Sequence, residues 1–356
     1  MSASSPAPPP PPLPLTTTTA AAAAAARRPQ QQSAPAPSSS SSSSSRMPAL
    51  LEPHVARGPL ARDEGSLTVV TWVQGASANW LVLRYLYTLL GGGGGGGGGG
   101  RGVSGDENVG SGVVLVSFMR DARFWADGCA RLGMDLDALR RSGRFSFVDG
   151  LTSLYAPPAG TAGRNEHDGV IVGDDGTTSA IQTQVEAAMA RLAPQSKKTL
   201  ILDGLDAYVA TTTTTTIPVN GSSSAFSDAD SLLMRLRENA HSTLVTLAAD
   251  EPLIRAAVRQ QQQQQQGTTT TAATTTTTGL ERKQAALVLG QAHAADQVVS
   301  LRRLDTGAAA DVSGVLRVAT KRAAGDGGGD GDAQEEDELL YHVSGDGTVR
   351  VFERGA

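Results

Sequence analysis

The chain is poor in the residues that form cross-links and lacks the long apolar runs that anchor a protein in a membrane. Cys129 is the only cysteine among 356 residues, which excludes an internal disulfide and a cysteine-based metal site. A reducing compartment is the simplest interpretation. No apolar run reaches the roughly 20 residues of a membrane span. The Ala20–Ala26 run has no basic residue before it, so a signal peptide is not predicted either.

Large apolar residues are also scarce in several long tracts of low complexity. These tracts are the tail over residues 1–60 and insertions at about 91–112, 156–178, 211–227, 259–279 and 321–338. Such segments bury too little apolar surface to offset the entropy lost on ordering them. A folded domain tolerates them between its elements because loop-closure entropy grows slowly with length. We therefore predict a disordered tail over 1–60 and a single domain over 61–356 that carries the five insertions.

The chain has no dense block of basic residues, and its net charge is −5. Seven acidic residues between positions 323 and 338 account for more than this whole negative balance. The charge of the packable remainder therefore neither favours nor excludes an RNA partner. The five histidines are scattered without metal-ligand spacing, so no metal site is predicted.

The segment from Leu67 to Leu90 has the pattern of a buried strand, a tight glycine turn and an apolar helix. ATPases of the P-loop class bind phosphate at such a turn with the motif G-x-x-x-x-G-K-[ST]. Gly75 matches the first glycine, but Trp80, Leu81 and Val82 occupy the positions of the second glycine, the lysine and the hydroxyl residue. The lysine neutralises the phosphates and the hydroxyl ligates Mg²⁺, so the groups that perform this chemistry are missing.

Two interpretations of the degenerate loop remain. The N-terminus of the helix still offers backbone N–H groups to an anion, and Ser77 and Asn79 are good N-cap residues. An ordinary strand-to-helix turn explains the same residues, and we favour it because a lone glycine turn is a weak motif. We predict no cofactor.

The order of the apolar segments predicts the fold class. Five runs of strand length are near-continuous, as in a parallel sheet covered on both faces: Leu67–Val73, Val113–Phe118, Arg144–Val148, Thr199–Leu202 and Thr243–Leu247. Helical segments separate them at Trp80–Leu90, Asp121–Leu132, Ile181–Leu192, Asp230–Asn239 and Leu280–Ala295. Four strands without helices follow at Gln297–Leu304, Val312–Thr320, Leu339–Val343 and Thr348–Phe352. This is the order of RecA-like, P-loop NTPase-type α/β cores with an antiparallel C-terminal extension.

A few charged residues are candidates for contacts at the ends of these strands. Asp203 follows an apolar strand as the Mg²⁺-holding aspartate of an ATPase does, but without the lysine we favour a structural role. Arg120 lies at the carboxyl end of another strand, and Arg302 and Arg303 lie in the late strands. From these positions the three arginines could reach a ring neighbour or a phosphate. A solvated surface is the alternative.

Several sequence blocks together resemble the family of the sixth Elongator subunit. They include GASANWLVLRYL at 75–86, TLILDGLDAY at 199–208 and LLYHVSGDGTVRVFERG at 339–355. Further blocks at 113–151, 241–254 and 280–318 extend the resemblance over essentially all of the packable sequence. The long low-complexity tracts depart from the family pattern.

The resemblance implies a RecA-like fold without a usual P-loop. It also implies assembly with Elongator subunits four and five into a hetero-hexameric ring, in the cytoplasm and nucleus. That ring binds tRNA and supports the 5-carboxymethyl-type modification of wobble uridine, whereas the chemistry belongs to the catalytic subunit. The family gives this subunit no catalytic residues. The alternative function is a nucleotide-hydrolysing RecA-type ATPase with a recombination or regulatory role, and Leu81 at the lysine position favours the first interpretation.

Overall fold

A single twisted sheet organises the fold. The computed structural model describes residues 46–56, 64–91, 110–155, 170–171, 178–194, 196–215, 224–255, 278–304, 309, 311–321 and 334–354, all within the compact unit Ser40–Ala356. The described strands are β1 Ser66–Trp72, β2 Ser111–Ser117, β3 Phe145–Asp149, β4 Val170–Ile171, β5 Lys197–Asp203, β6 Ser242–Ala248, β7 Gln297–Arg302, β8 Gly314–Lys321, β9 Gln334–Val343 and β10 Val349–Glu353.

Helices connect the strands of the first part and are missing between the described strands of the last part. They are α1 Glu52–Ala56, α2 Asn79–Leu90, α3 Ala122–Arg131, α4 Leu136–Arg141, α5 Gly150–Tyr155, α6 Thr178–Arg191, α7 Leu205–Thr215, α8 Ser224–Glu238, α9 at residues 251–255, and α10 Gly279–Ala294. Asp121 caps α3 as predicted, and its carboxylate accepts a hydrogen bond of 2.9 Å from the backbone N–H of Phe124. None of the described helices is long and apolar enough to cross a bilayer.

The strand order is β10-β9-β8-β7-β1-β6-β5-β2-β3-β4. All pairs from β7 to β4 are parallel, and β7-β8, β8-β9 and β9-β10 are antiparallel. The predicted fold class is therefore confirmed: the protein has a RecA-like α/β fold with an antiparallel C-terminal extension. All nine predicted strands are present, with ends that differ from the predicted ones by a few residues.

Two apolar cores lie on the two faces of the sheet. Adjacent residues of β1 face opposite sides. Val70 belongs to the first core, which also contains residues of α1, α2 and α3, whereas Val69 belongs to the second core, with residues of α6, α7, α8 and α10. The central strands are buried on both faces, which explains why their sequences are continuous apolar runs.

The prediction of a disordered tail over residues 1–60 is wrong for residues 46–56. Leu51 and Val55, on either side of the start of α1, are each 1 % exposed and belong to the first core. The backbone carbonyl of His54 accepts a 3.1 Å hydrogen bond from the Gln297 side chain on β7. The domain therefore begins before the predicted boundary, and the rest of the predicted tail lies outside the described residues.

All five predicted insertions include residues of regular structure: β2 begins within 91–112, β4 lies within 156–178, and α10 begins within 259–279. Residues 334–338 form the first half of β9, where Glu336 pairs with Arg317 of β8 and Glu338 pairs with Arg302 of β7. Residues 211–215 continue α7, where the Thr211 hydroxyl donates to the carbonyl of Tyr208 at 2.8 Å. Residues 224–227 begin α8. Most of each insertion lies outside the described residues.

Candidate functional site

The turn between β1 and α2 takes the position of a phosphate-binding loop. Gly75 has a φ of +88°, which favours glycine, and the Ala76 N–H closes the turn on the Val73 carbonyl at 2.8 Å. The N–H of Gln74 donates to the Asp250 carboxylate at 2.9 Å. This hydrogen bond connects the turn to the segment that follows β6. The turn lies at the carboxyl edge of the sheet, which is where open α/β sheets bind ligands.

The start of α2 differs from the predicted cap. Ala78 occupies the N-cap position with helical backbone angles, and no side chain caps the helix there. The Ser77 hydroxyl instead accepts a hydrogen bond from the Asn79 N–H at 3.3 Å. Ser77 therefore makes a cap-type hydrogen bond from one position before Ala78, whereas Asn79 lies inside α2 and does not cap it.

The three residues at the motif positions are buried. Leu81 and Val82 are fully buried in the first core, and Trp80 is 8 % exposed. The indole of Trp80 lies against the Tyr341 ring of β9 with 4.9 Å between ring centroids. Burial raises the pKa of Tyr341 to about 12, and its contact with Trp80 acts in the opposite direction. Trp80, packed on Tyr341, thus takes the position of the second glycine of the motif, and two buried aliphatic side chains take the positions of the lysine and the hydroxyl residue.

Arg303 lies directly over the glycine turn. A Cβ atom on Gly75 would come within 3.1 Å of the Arg303 Cδ, so the aliphatic stem of this arginine packs on the turn. Arg303 as a whole is exposed. The structure thus brings Gly75 and Arg303 together, whereas nothing in the sequence pattern indicated this contact.

Asp203 is a buried link between three strands. It is 3 % exposed, and its two carboxylate oxygens accept hydrogen bonds from the Ser117 hydroxyl of β2 at 2.8 Å and the Thr246 hydroxyl of β6 at 3.0 Å. Burial raises the pKa of Asp203, whereas the two hydroxyls and the charge of Arg120 lower it. Because both oxygens are engaged within the protein, the geometry agrees with the predicted structural role.

Asp206 follows in the first turn of α7, on the same edge. Burial raises its pKa to about 6, backbone hydrogen bonds at Ala248 and at Asp206 itself lower it, and the charges of Asp203 and Asp250 raise it. Despite these three carboxylates, no group of histidine, cysteine, aspartate or glutamate side chains among the described residues is arranged to hold a metal ion. A cavity of about 30 Å³ lies elsewhere, between α3, α4 and β3.

The three predicted contact arginines fall into two groups. Arg120 is exposed at the carboxyl end of β2, and its guanidinium lies 5.1 Å from the centre of the Phe124 ring. Its backbone N–H donates to the Ser117 hydroxyl at 2.9 Å, which places Arg120 at the carboxyl edge, where Arg303 also lies. Arg302 is different, because it donates to Glu338 at 3.0 Å. Consecutive arginines in the sequence thus have unlike surroundings.

Sequence reasoning missed the residues that close the loop from a distance. Tyr341 and Asp250 come from β9 and from the segment after β6, and both are far from the loop in the chain. The apolar residues at the motif positions did signal that α2 is buried there. No local pattern identified which strand covers it.

Comparisons with known proteins find similar solved structures but no matching family. Neither a family model nor a curated protein matches the chain. Among solved structures, the KaiC-like protein PH0186 from Pyrococcus horikoshii OT3 is similar, with 12 % sequence identity and a TM-score of 0.43. The match covers 81 % of this chain and 90 % of that chain. At this TM-score the similarity carries no argument about function.

Proposed function

We propose that this chain is a non-catalytic subunit of the Elongator complex. In this proposal it joins subunits four and five in a hetero-hexameric RecA-like ring, which binds tRNA and supports modification of wobble uridine in the cytoplasm and nucleus. The observation that carries the proposal is the burial of all three motif positions, where Trp80 packs on Tyr341 and Leu81 and Val82 lie in the core. The identity of the complex rests on the sequence blocks, since the fold alone does not define a function.

The burial of Leu81 and Val82 supports the absence of nucleotide hydrolysis. Both side chains are fully buried, so a cation or hydroxyl at these positions would sit in an apolar core and not in a phosphate cradle. Both oxygens of Asp203 already accept hydrogen bonds, from the hydroxyls of Ser117 and Thr246, and this agrees with a structural role for the buried carboxylate. No observation favours the alternative of an ATPase.

The carboxyl edge offers two exposed cations for the proposed tRNA. Arg120 and Arg303 form no ion pair among the described residues, whereas Arg302 bonds to Glu338. Arginine contacts to phosphates make RNA affinity depend steeply on salt. We therefore assign the proposed backbone contacts at this edge to Arg120 and Arg303 and give Arg302 a structural role.

Co-expression with Elongator subunits four and five tests the proposal. We expect a complex whose mass by light scattering corresponds to a hexamer with two copies of each chain, and tRNA binding that weakens with salt. The isolated chain should not turn over ATP. A monodisperse monomer that ignores both subunits would refute the assignment to Elongator, and steady-state ATP turnover by the isolated chain would refute the non-catalytic role.

A further inference from the structure

Two turns at the amino edge of the sheet carry a concentration of positive charge. The first, residues 141–144, runs from the last residue of α4 to the start of β3, and the second, residues 191–198, runs from the last residue of α6 into the first two residues of β5. Together they contain five basic residues and no acidic residue, although the net charge of the chain is −5. The five residues are Arg141, Arg144, Arg191, Lys197 and Lys198, and we call them the amino-edge basic patch.

Backbone hydrogen bonds hold the two turns together. The N–H of Ala193 donates to the Gly143 carbonyl at 2.9 Å. Between them, Val113 at the start of β2 donates to the Arg144 carbonyl at 2.9 Å, and β2 pairs with β5 in a register that sets Gly112 beside Lys198. Arg144 and Lys198 thus start two strands that flank β2, with their backbones about 10 Å apart from the spacing of parallel strands.

The charge of the patch is not neutralised within the described structure. Arg141, Arg191 and Lys197 are exposed, and none of the five residues forms an ion pair among the described residues. The Nε of Arg144 is enclosed and has no hydrogen-bond partner. The neighbouring Arg140 has an interaction of its own and is left outside the patch. Five unpaired cations on two joined turns create a local positive potential that attracts anions.

We propose that the amino-edge basic patch contacts the phosphodiester backbone of RNA. This inference rests on the proposed function, because the RNA is the tRNA that the ring binds, and it adds a contact surface at the opposite edge of the sheet from Arg120 and Arg303. The large exposed apolar side chains of the described residues, those of Leu50, Met234, Leu280 and Leu289, all belong to other segments. A protein partner would need an apolar core at its interface, whereas a phosphate backbone needs only cations.

Charge removal at the three exposed residues tests the inference in the assembled ring. The variant carries Arg141→Gln, Arg191→Gln and Lys197→Gln, all at exposed positions where glutamine keeps the chain folded. If each residue meets one phosphate, the log–log slope of tRNA affinity against salt falls by about 2 to 3. Affinity at 150 mM salt then falls by about tenfold to a hundredfold. A charge-preserving variant, with Arg141→Lys, Arg191→Lys and Lys197→Arg, should retain most of the salt slope and most of the affinity.

A matched control removes three positive charges elsewhere. Arg235→Gln, Arg282→Gln and Arg350→Gln change exposed residues of α8, α10 and β10, so the net charge falls equally while the patch stays intact. This control should bind tRNA with nearly unchanged slope. Equal losses in the two glutamine variants would show a general charge effect and would overturn the inference.

Ring mass by light scattering and melting temperature are measured for every variant, so a failure of assembly or folding is visible separately. A wild-type ring that forms and binds tRNA, with a patch variant of unchanged affinity and slope, would overturn the patch and leave the proposed function standing. Polyglutamate serves as a second polyanion. If it displaces tRNA from the patch at equal charge concentration and binds more tightly, an acidic protein would replace RNA as the partner.

Discussion

Restoring the phosphate-loop motif should unfold the protein and not create an ATPase. The variant Trp80→Gly, Leu81→Lys, Val82→Thr writes G-x-x-x-x-G-K-T into the chain from Gly75 onward. In a loop that merely lost its side chains, these changes would return them to a phosphate cradle. Here the same positions belong to the first core, with Leu81 and Val82 fully buried.

The expected cost follows from the burial of each position. Removing the Trp80 side chain, which packs on Tyr341, costs about 3–5 kcal/mol by analogy with large-to-small changes in cores. A lysine in place of Leu81 adds several kcal/mol, because the charge must be buried or neutralised. A hydroxyl at Val82 without a partner adds about 1–3 kcal/mol. The total is comparable with the whole stability of a typical domain, about 5–15 kcal/mol.

The assay is denaturant unfolding followed by ATP turnover. Leu81→Met is the matched control, since a similar volume in the same place should cost less than about 1.5 kcal/mol. We expect the control to unfold near the wild-type midpoint and the triple variant to be largely unfolded or insoluble. A triple variant with a wild-type midpoint and measurable ATP hydrolysis would refute the conclusion that these positions face the core.

Three further outcomes are expected. Leu51→Ala should lower the free energy of unfolding by about 2–5 kcal/mol because Leu51 is a core residue; the exposed Glu52→Ala is its control, and equal midpoints would show that α1 contributes nothing. The raised pKa of Asp206, about 6, means that the native state binds more protons than the unfolded state between pH 4 and 6, so this residue makes stability fall as pH rises through that window. Asp206→Asn should flatten this dependence in urea midpoints, and an unchanged pH profile would contradict it. Finally, Arg303→Gln should weaken tRNA binding by the ring and lower the slope of log affinity against log salt by about 1. Arg302→Gln should change neither quantity, because Arg302 bonds to Glu338. The opposite result for the two variants in a salt series would exchange the roles of the two arginines.

The sequence predicted the strands because burial on both faces makes them apolar without interruption. Val113–Phe118 and Thr243–Leu247 are examples whose limits differ from the observed strands by only one or two residues. The acidic half of β9 escaped prediction because its partners lie on other strands: it pairs with β8, and its Glu336 meets Arg317 there. α1 was missed for a related reason, since five residues are too few to show a helical period.

Only the missing side chains of the candidate site could be predicted from the sequence. The absence of lysine and hydroxyl groups could be read directly at Leu81 and Val82. The contacts that replace them could not, because Tyr341 on β9 and Arg303 just after β7 are more than 200 residues away from the loop in the chain. Pairings of that separation are set by the register of the sheet, and no local pattern encodes them.

Asp203 has a consequence for how loss-of-function data on this protein should be interpreted. In an ATPase, alanine at the aspartate after this strand is the usual diagnostic of catalysis. Here the same change would leave the hydroxyls of Ser117 and Thr246 without an acceptor, because both donate to the oxygens of Asp203. Each of these hydroxyls also accepts a backbone N–H, from Arg120 and from Gly204, so the loosening would spread to the carboxyl ends of three strands. A null phenotype from Asp203→Ala would therefore indicate a sheet that has lost hydrogen bonds between its strands, even in a protein that does not bind nucleotide.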